Sequence, residues 1–301
     1  MLAARHETQS ACVCISKLDR RATILQVLPK LDTGGAERVA VEIAEALTSA
    51  GYRALIACEN GALTQAALRA GAEILPLPLD TKSPLAIRRN AGRLARIIKA
   101  QNVDIIHAHS RAPAWSAFWA ARRTGKKFVT TYHGTYKENA PLKRRYNEIM
   151  AAGDGVIAVS AFIGERILAR HADIGEKLTV IPGGVDPVKF DPASVLGDRA
   201  ARLAQSWRLP LGVPTIMLPG RLTSWKGQMN MITALAELRH KDAVLVLVGS
   251  DQGREKYTKS LIAHAENLGV SDRLRLVGHV EDMPAAMMLA DIVVNASTDP
   301  E

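Results

Sequence analysis

The chain has 301 residues, 48% hydrophobic and 23% charged, with a formal net charge of +9, which is the composition of a globular protein with enough chain for two cores. No apolar run approaches the roughly 18 residues of a membrane span, and the residues before Thr23 carry Arg5, Lys17, Arg20 and Arg21 but no apolar core of a secretory signal. Only 4% of residues are aromatic, which leaves no stacking platform for nucleic acid.

Residues 1–21 are expected to be a disordered extension. From there, strand-like and helix-like segments alternate. Thr23–Pro29 reads as a strand, followed by a Gly34-Gly35 turn and a helix with Val39, Ile43 and Leu47 at helical spacing. Strands are predicted again in 53–58, 72–79, 103–109, 128–134, 155–160 and 178–184, separated by amphipathic segments. One of these, 85–100, sets Ile87, Ala91, Leu94 and Ile98 on one stripe and Arg88, Arg89, Arg93, Arg96 and Lys99 elsewhere. Pro and Gly interrupt the pattern near 185–214, and it restarts with strands in 215–220, 243–249, 273–278 and 291–297, the last read as buried. About seven strands in the first half and four in the second predict an α/β chain of two Rossmann-like domains, 22–190 and 213–301, joined by a linker over 191–212.

Charge and cysteine content narrow the setting. Residues 1–190 hold 27 Lys and Arg against 17 Asp and Glu, whereas residues 191–301 hold 12 against 13. The whole positive excess therefore lies in the first half, where it suits an anionic membrane surface or a phosphorylated acceptor. Cys12, Cys14 and Cys58 are scattered, with no zinc or thioredoxin-like spacing, and are expected to be reduced thiols in a cytoplasmic protein.

Three loops at predicted strand ends carry candidate chemistry. Asp32-Thr33-Gly34-Gly35-Ala36-Glu37 opens a helix, where free N–H groups and absent side chains favour an anion. His133 ends one strand, with Gly134 beside it, and could offer a hydrogen bond to a sugar hydroxyl or a phosphate. His107 and His109 lie at the end of another; they are expected on opposite faces and are not read as a zinc pair. Gly220-Arg221-Leu222-Thr223-Ser224-Trp225-Lys226-Gly227 leaves the first strand of the second half, so Arg221 and Lys226 fall where open α/β sheets bind ligands. An arginine fork and a lysine point charge together suit a diphosphate. Neither first strand is followed by G-x-G-x-x-G, which argues against a dinucleotide oxidoreductase.

Nine stretches in order carry a resemblance: LPKLDTGGAERVAVEIAEAL, DIIHAHS, TTYHG, VIAVSAFIGERI, VIPGGVDPVKFDP, LPGRLTSWKG, LVGSDQGRE, VGHVEDMPAAMMLADIVVNAS and DPE. Together they are similar to glycosyltransferase family 4 (group 1), retaining enzymes of GT-B fold, in which two Rossmann-like domains face across a cleft. The resemblance implies a transferase that moves a sugar from a nucleotide diphosphate donor to an acceptor hydroxyl with retention, without a bound metal or other cofactor. Gly34 and Gly35 match the glycine loop facing the donor phosphates, and Gly220, Gly249, Val280 and Met283 match donor-binding segments. His133 matches the family histidine near the transferring sugar, and His109 falls on the acceptor side. Arg221 and Lys226 match the pair that neutralises the diphosphate, and Glu301 the first of two signature glutamates. The second glutamate and the last elements of the family's C-terminal domain have no counterpart before the chain ends. A truncated, incomplete second domain is expected, with a non-catalytic remnant that binds a nucleotide or a partner as the alternative. With a glycan or glycolipid acceptor, and no nucleic acid, the implied role is envelope polysaccharide or lipopolysaccharide synthesis in the cytoplasm or on the inner membrane face.

Overall fold

The first apolar run sets the centre of the fold. Leu25, Val27 and Leu28 are inaccessible on both sides of the strand Thr23–Lys30 (β1), as a strand covered by helices on two faces requires. The structure, a computed structural model, describes residues 21–136 and 140–299. The chain divides into two units, one ending at Gly183 and the other beginning at Gly184.

In the first unit β1 is followed by Gly35–Ser49 (α1), Arg53–Glu59 (β2), Thr64–Arg69 (α2), Glu73–Pro76 (β3), Pro84–Ala100 (α3) and Ile105–Ala108 (β4). Arg111–Thr124 (α4), Lys127–Tyr132 (β5), Pro141–Asn147 (α5), Gly155–Ala158 (β6), Ala161–Leu168 (α6) and Leu178–Val180 (β7) complete it. The seven strands are parallel, in the order β3-β2-β1-β4-β5-β6-β7. Alternation along β1 separates two cores. Leu25 and Val27 pack with Leu94 and Ile98 of α3 and Ala117 of α4, while Leu28 packs with Ala40 and Ala44 of α1 and with Cys58. Burial pushes the Cys58 thiol up to about 12, so it stays protonated; Cys12 and Cys14 lie outside the described residues.

The second unit contains Gly197–Ser206 (α7), Thr215–Pro219 (β8), Gln228–Glu237 (α8), Val244–Val248 (β9), Glu255–Asn267 (α9), Leu274–Gly278 (β10), Met283–Met287 (α10) and Ile292–Val293 (β11). Its four parallel strands run β10-β9-β8-β11. Two sequence expectations change here. The stretch 191–212 is more than a connector: it holds α7, and Trp207 is buried with Met217 and Val246 in this unit's core. The strand at 292–293 is not buried. It is two residues long at the sheet edge, with Ile292 55% and Val293 49% exposed, because β8 covers only one side of it. Beside it, an apolar hollow of about 160 Å3 is lined by Ile216, Met231, Leu235, Leu245, Ile292 and Val294.

An aspartate precedes three of the strands and ties each to its neighbour. Asp104 donates its N–H to the Thr23 carbonyl (2.8 Å) and accepts the Thr23 N–H on its carboxylate (2.9 Å). Asp154 does the same to Phe128 (2.7 and 2.9 Å). In the second unit Asp291 repeats the arrangement with Thr215 (2.9 and 2.7 Å). Each pair closes a ring that forms in only one register.

Removing such a carboxylate leaves a strand's first N–H unpaired, at a cost of about 1–3 kcal/mol. Asp104→Ala is therefore expected to lower the urea midpoint clearly. Asp104→Asn, which keeps an acceptor oxygen, should recover most of the loss. An Asp104→Ala midpoint equal to that of the wild type would show that the clamp does not contribute.

Candidate active site

In the first unit, α1, α4 and the loop after β5 all start at the carboxyl edge. Gly34 caps α1 with ordinary extended backbone, and a side chain at Gly35 would meet nothing within 4 Å. The fold itself thus does not require glycine at 35, and the open space lies over the start of a helix. A Cβ at Gly134 would also meet open space.

Three histidines converge at this edge. His107 and His109 are two residues apart and share a side, contrary to the sequence expectation; their ring centroids are 4.2 Å apart. Residues at i and i+2 of a strand point the same way, so the expected opposition was an error of register. His107 Nε2 lies 2.7 Å from Thr131 Oγ1. His109 is buried, with Nδ1 3.0 Å from His133 Nε2 and Nε2 2.8 Å from Gln26 Oε1. Both ring nitrogens of His109 are thus engaged inside the protein, so it stands behind His133 and does not meet an acceptor directly. His133 is half-buried and is the outermost ring of the row.

Burial keeps all three rings neutral. His107 is held down to about 4 by desolvation, with a smaller push from His133. Burial alone brings His133 to about 4. His109 is depressed well below the ordinary histidine value by burial first and by its two histidine neighbours second.

Beside them, Arg111 at the start of α4 lies over the Tyr136 ring (4.3 Å) and donates to Asn147 Oδ1 (2.8 Å). Burial pushes the Tyr136 hydroxyl up to about 12, with Arg111 acting in the other direction. Arg166 and Arg170 border a small hollow with Tyr132 and Tyr136. Neither Arg111 nor Gln26 was singled out by the sequence pattern.

In the second unit, Gly220–Gly227 is tightly framed. Gly220 N donates to Val248 O (2.7 Å) and Leu222 N to Ser250 O (3.1 Å), so the loop runs alongside the exit of β9. A Cβ at Gly249 would strike the Gly220 carbonyl, which gives glycine there a structural reason of its own. Gly227 has φ of 76°, and a Cβ on it would strike the Ala296 carbonyl. Gln228 Nε2 donates to the Arg221 carbonyl (2.9 Å), and Thr298 N to the Trp225 carbonyl (2.8 Å).

Two cations stand on this frame. The stem of Lys226 passes over Gly220, and its ammonium lies 4.5 Å from the centre of the Trp225 ring. Arg221 is exposed, with Nη1 3.5 Å from Gln252 Oε1. The Thr223 hydroxyl is buried without a partner among the described residues. Arg221 and Lys226 thus stand on one rigid turn at the carboxyl end of β8. Val280 is buried in the core and Met283 packs against it at the start of α10, so a ligand would reach this turn through backbone. Asp282 caps α10 and pairs with Arg199 (2.6 and 2.8 Å). Glu301 lies outside the described residues.

A family model described as Glycosyltransferase Family 4 matches residues 33–189, and one described as Glycosyl transferases group 1 matches residues 201–301. Among curated proteins, a GDP-mannose-dependent alpha-(1-6)-phosphatidylinositol monomannoside mannosyltransferase of Mycobacterium tuberculosis is 29% identical over 209 residues, 66% of this chain and 52% of that protein. A D-inositol 3-phosphate glycosyltransferase of Salinispora arenicola is 27% identical, covering 93% of this chain and 65% of that one. The chain spans about half the length of most curated relatives it matches. Among solved structures, a glycosyltransferase from Rickettsia africae aligns with a TM-score of 0.81 at 35% identity, over 93% of this chain and 74% of that one. Anabaena HepE in complex with UDP and glucose aligns at 0.77 and 23% identity, over 93% and 76%.

The neutral histidines set a pH dependence. Unfolded, each takes up a proton near 6.5; folded, His107 does so only near 4. Stability present above pH 6.5 is therefore lost as pH falls towards 4, by up to about 3 kcal/mol for one fully shifted histidine. Urea midpoints from pH 7 to 4.5 are expected to fall, and His107→Asn, which cannot charge, should flatten the slope. An unaltered slope would mean that His107 takes up its proton at the same pH folded and unfolded, so that burial does not hold it neutral.

Proposed function

The chain belongs to glycosyltransferase family 4, and on that premise we propose that it moves a sugar from a nucleotide diphosphate donor to an acceptor hydroxyl with retention at the anomeric carbon. The observation that carries the reading is the turn after β8, where Arg221 and Lys226 share one braced loop. When the glycosidic bond breaks, charge accumulates on the departing diphosphate. Cations already fixed in place stabilise that state more than the bound donor, which is what lowers a barrier. The reading uses no metal and no other cofactor. The mycobacterial relative is named as GDP-mannose-dependent and HepE was crystallised with UDP-glucose, both donors of this class.

The acceptor in this reading is an anionic envelope glycan or glycolipid, such as a lipopolysaccharide core, met in the cytoplasm at the inner membrane face. Support comes from the first unit's surface. Arg88, Arg89, Arg96 and Lys99 are exposed on α3, and Lys143, Arg144 and Arg145 on α5. Each helix also exposes a leucine in its first turn, Leu85 at 82% and Leu142 at 84%. Basic residues around exposed leucines suit an anionic lipid interface. No helix among the described residues is long and apolar enough to cross a membrane.

Titration calorimetry with UDP and GDP tests the donor site. Arg221→Ala or Lys226→Ala should weaken the preferred nucleotide by roughly 10–100-fold, as expected for a lost charge-assisted contact of about 1.5–3 kcal/mol. Unchanged affinity for both nucleotides would remove the assignment. For the surface, co-sedimentation with vesicles containing phosphatidylglycerol is expected to fall in Leu85→Asp and Leu142→Asp. Binding that persists in both variants would rule the leucines out.

A further inference from the structure

Gln26 lies in the middle of β1 between Leu25 and Val27 and is fully buried. An amide in that place is costly unless both ends are paired. Both are: Nε2 donates to the Ala40 carbonyl of α1 at 2.9 Å, and Oε1 faces His109 Nε2 at 2.8 Å. A backbone carbonyl can only accept, so the amide can sit only one way round. Its oxygen must then accept, and the proton on His109 is on Nε2.

The consequence runs outward. A neutral imidazole carries one proton, so His109 Nδ1 is an acceptor, and the 3.0 Å contact with His133 is a bond donated by His133 Nε2–H. His133 has then used its one N–H. Its Nδ1 is a bare lone pair with no partner among the described residues, and it is not among their enclosed unpaired atoms. One carbonyl on α1 thereby sets the direction of three successive hydrogen bonds.

We propose that Gln26 is a positioning residue which, through His109, makes His133 present a hydrogen-bond acceptor to the ligand, so that the group it meets is a sugar hydroxyl and not a phosphate or carboxylate oxygen. This deepens the sugar-transfer reading and rests on it for the identity of the ligand. It also decides between the two partners that the sequence left open for His133: a neutral ring so arranged has no proton to give a phosphate. An anionic group placed against Nδ1 would meet lone pair with lone pair.

Imidazole nitrogen spectra of the full chain, labelled with 15N-histidine at pH 7.5, read the tautomers directly. His109 and His133 are expected to be protonated on Nε2; a proton on His133 Nδ1 overturns the relay. Gln26→Leu should scramble the His133 tautomer, whereas Gln26→Glu, which still offers an acceptor to His109, should keep it. If Gln26→Leu does not fold, the wild-type spectrum and Gln26→Glu still decide the matter. A Gln26→Leu spectrum identical to wild type counts against Gln26.

Titration with UDP-glucose and GDP-mannose, against UDP and GDP, tests the ligand. The Nδ1 resonance of His133 should move upfield with one of the sugar nucleotides and stay in place with the bare diphosphates. An equal response to a bare diphosphate overturns the hydroxyl assignment. Failure of both sugar nucleotides to bind overturns the transferase reading and this ligand with it, while the tautomers still judge the relay.

Discussion

In a parallel sheet every strand runs the same way, so all strand-to-helix loops emerge at one edge while the intervening helices close both faces. A one-residue slip would send each side chain to the opposite face, into the wrong core, and move every loop residue. The first unit shows how much hangs on that register. Gln26 from β1, His109 beyond β4 and His133 beyond β5 meet only because β1 lies beside β4 and β4 beside β5 in the observed pairing. The turn after β8 depends on the same constraint in the second unit, since its N–H groups bond to the exit of β9.

The two edges solve different electrostatic problems. At the first, charge is avoided: three imidazoles are desolvated into neutrality, and what the protein controls is the direction of hydrogen bonds. At the second, charge is kept and carried on a braced turn. Arg221 and Lys226 share a turn in which Gly227 has no room for a side chain, and Gly249 beyond β9 packs against the turn's first residue, so the backbone bearing both cations is packed against its neighbours. A neutral, directional group suits the selection of a hydroxyl. A fixed cation suits a group whose charge grows during reaction.

Much of this was legible in the residues. Periodicity located eleven strands, and the loop 220–227 stood out because two basic residues and two glycines followed an apolar strand. What escaped has physical reasons. Gln26 looks like an interruption of an apolar run, and its partner His109 is 83 residues away, so no local signal marks it. Alternation shows that a strand has an apolar face, but not whether a neighbour covers it; hence 292–293 was expected inside and lies at the edge. Pro and Gly near 185–214 suggested a connector and masked the helical period of 197–206, which ends on the buried Trp207. The aspartate before an apolar run recurs at Asp104, Asp154 and Asp291, and that repeat was available to a closer reading.

Those three aspartates bear on how the chain arrives at its fold. Each ring joins residues far apart in sequence, 81 for Asp104 with Thr23 and 76 for Asp291 with Thr215, and it can close only after the crossover between them has been laid down. A strand added one residue out of step would bring a carboxylate to the sheet with no N–H opposite it, a state penalised beyond the loss of apolar burial. The rings therefore act as proofreaders of assembly, rejecting misthreaded sheets at the amino edge. Because that check is made at the amino edge, a residue in the loops at the carboxyl edge can change without touching it.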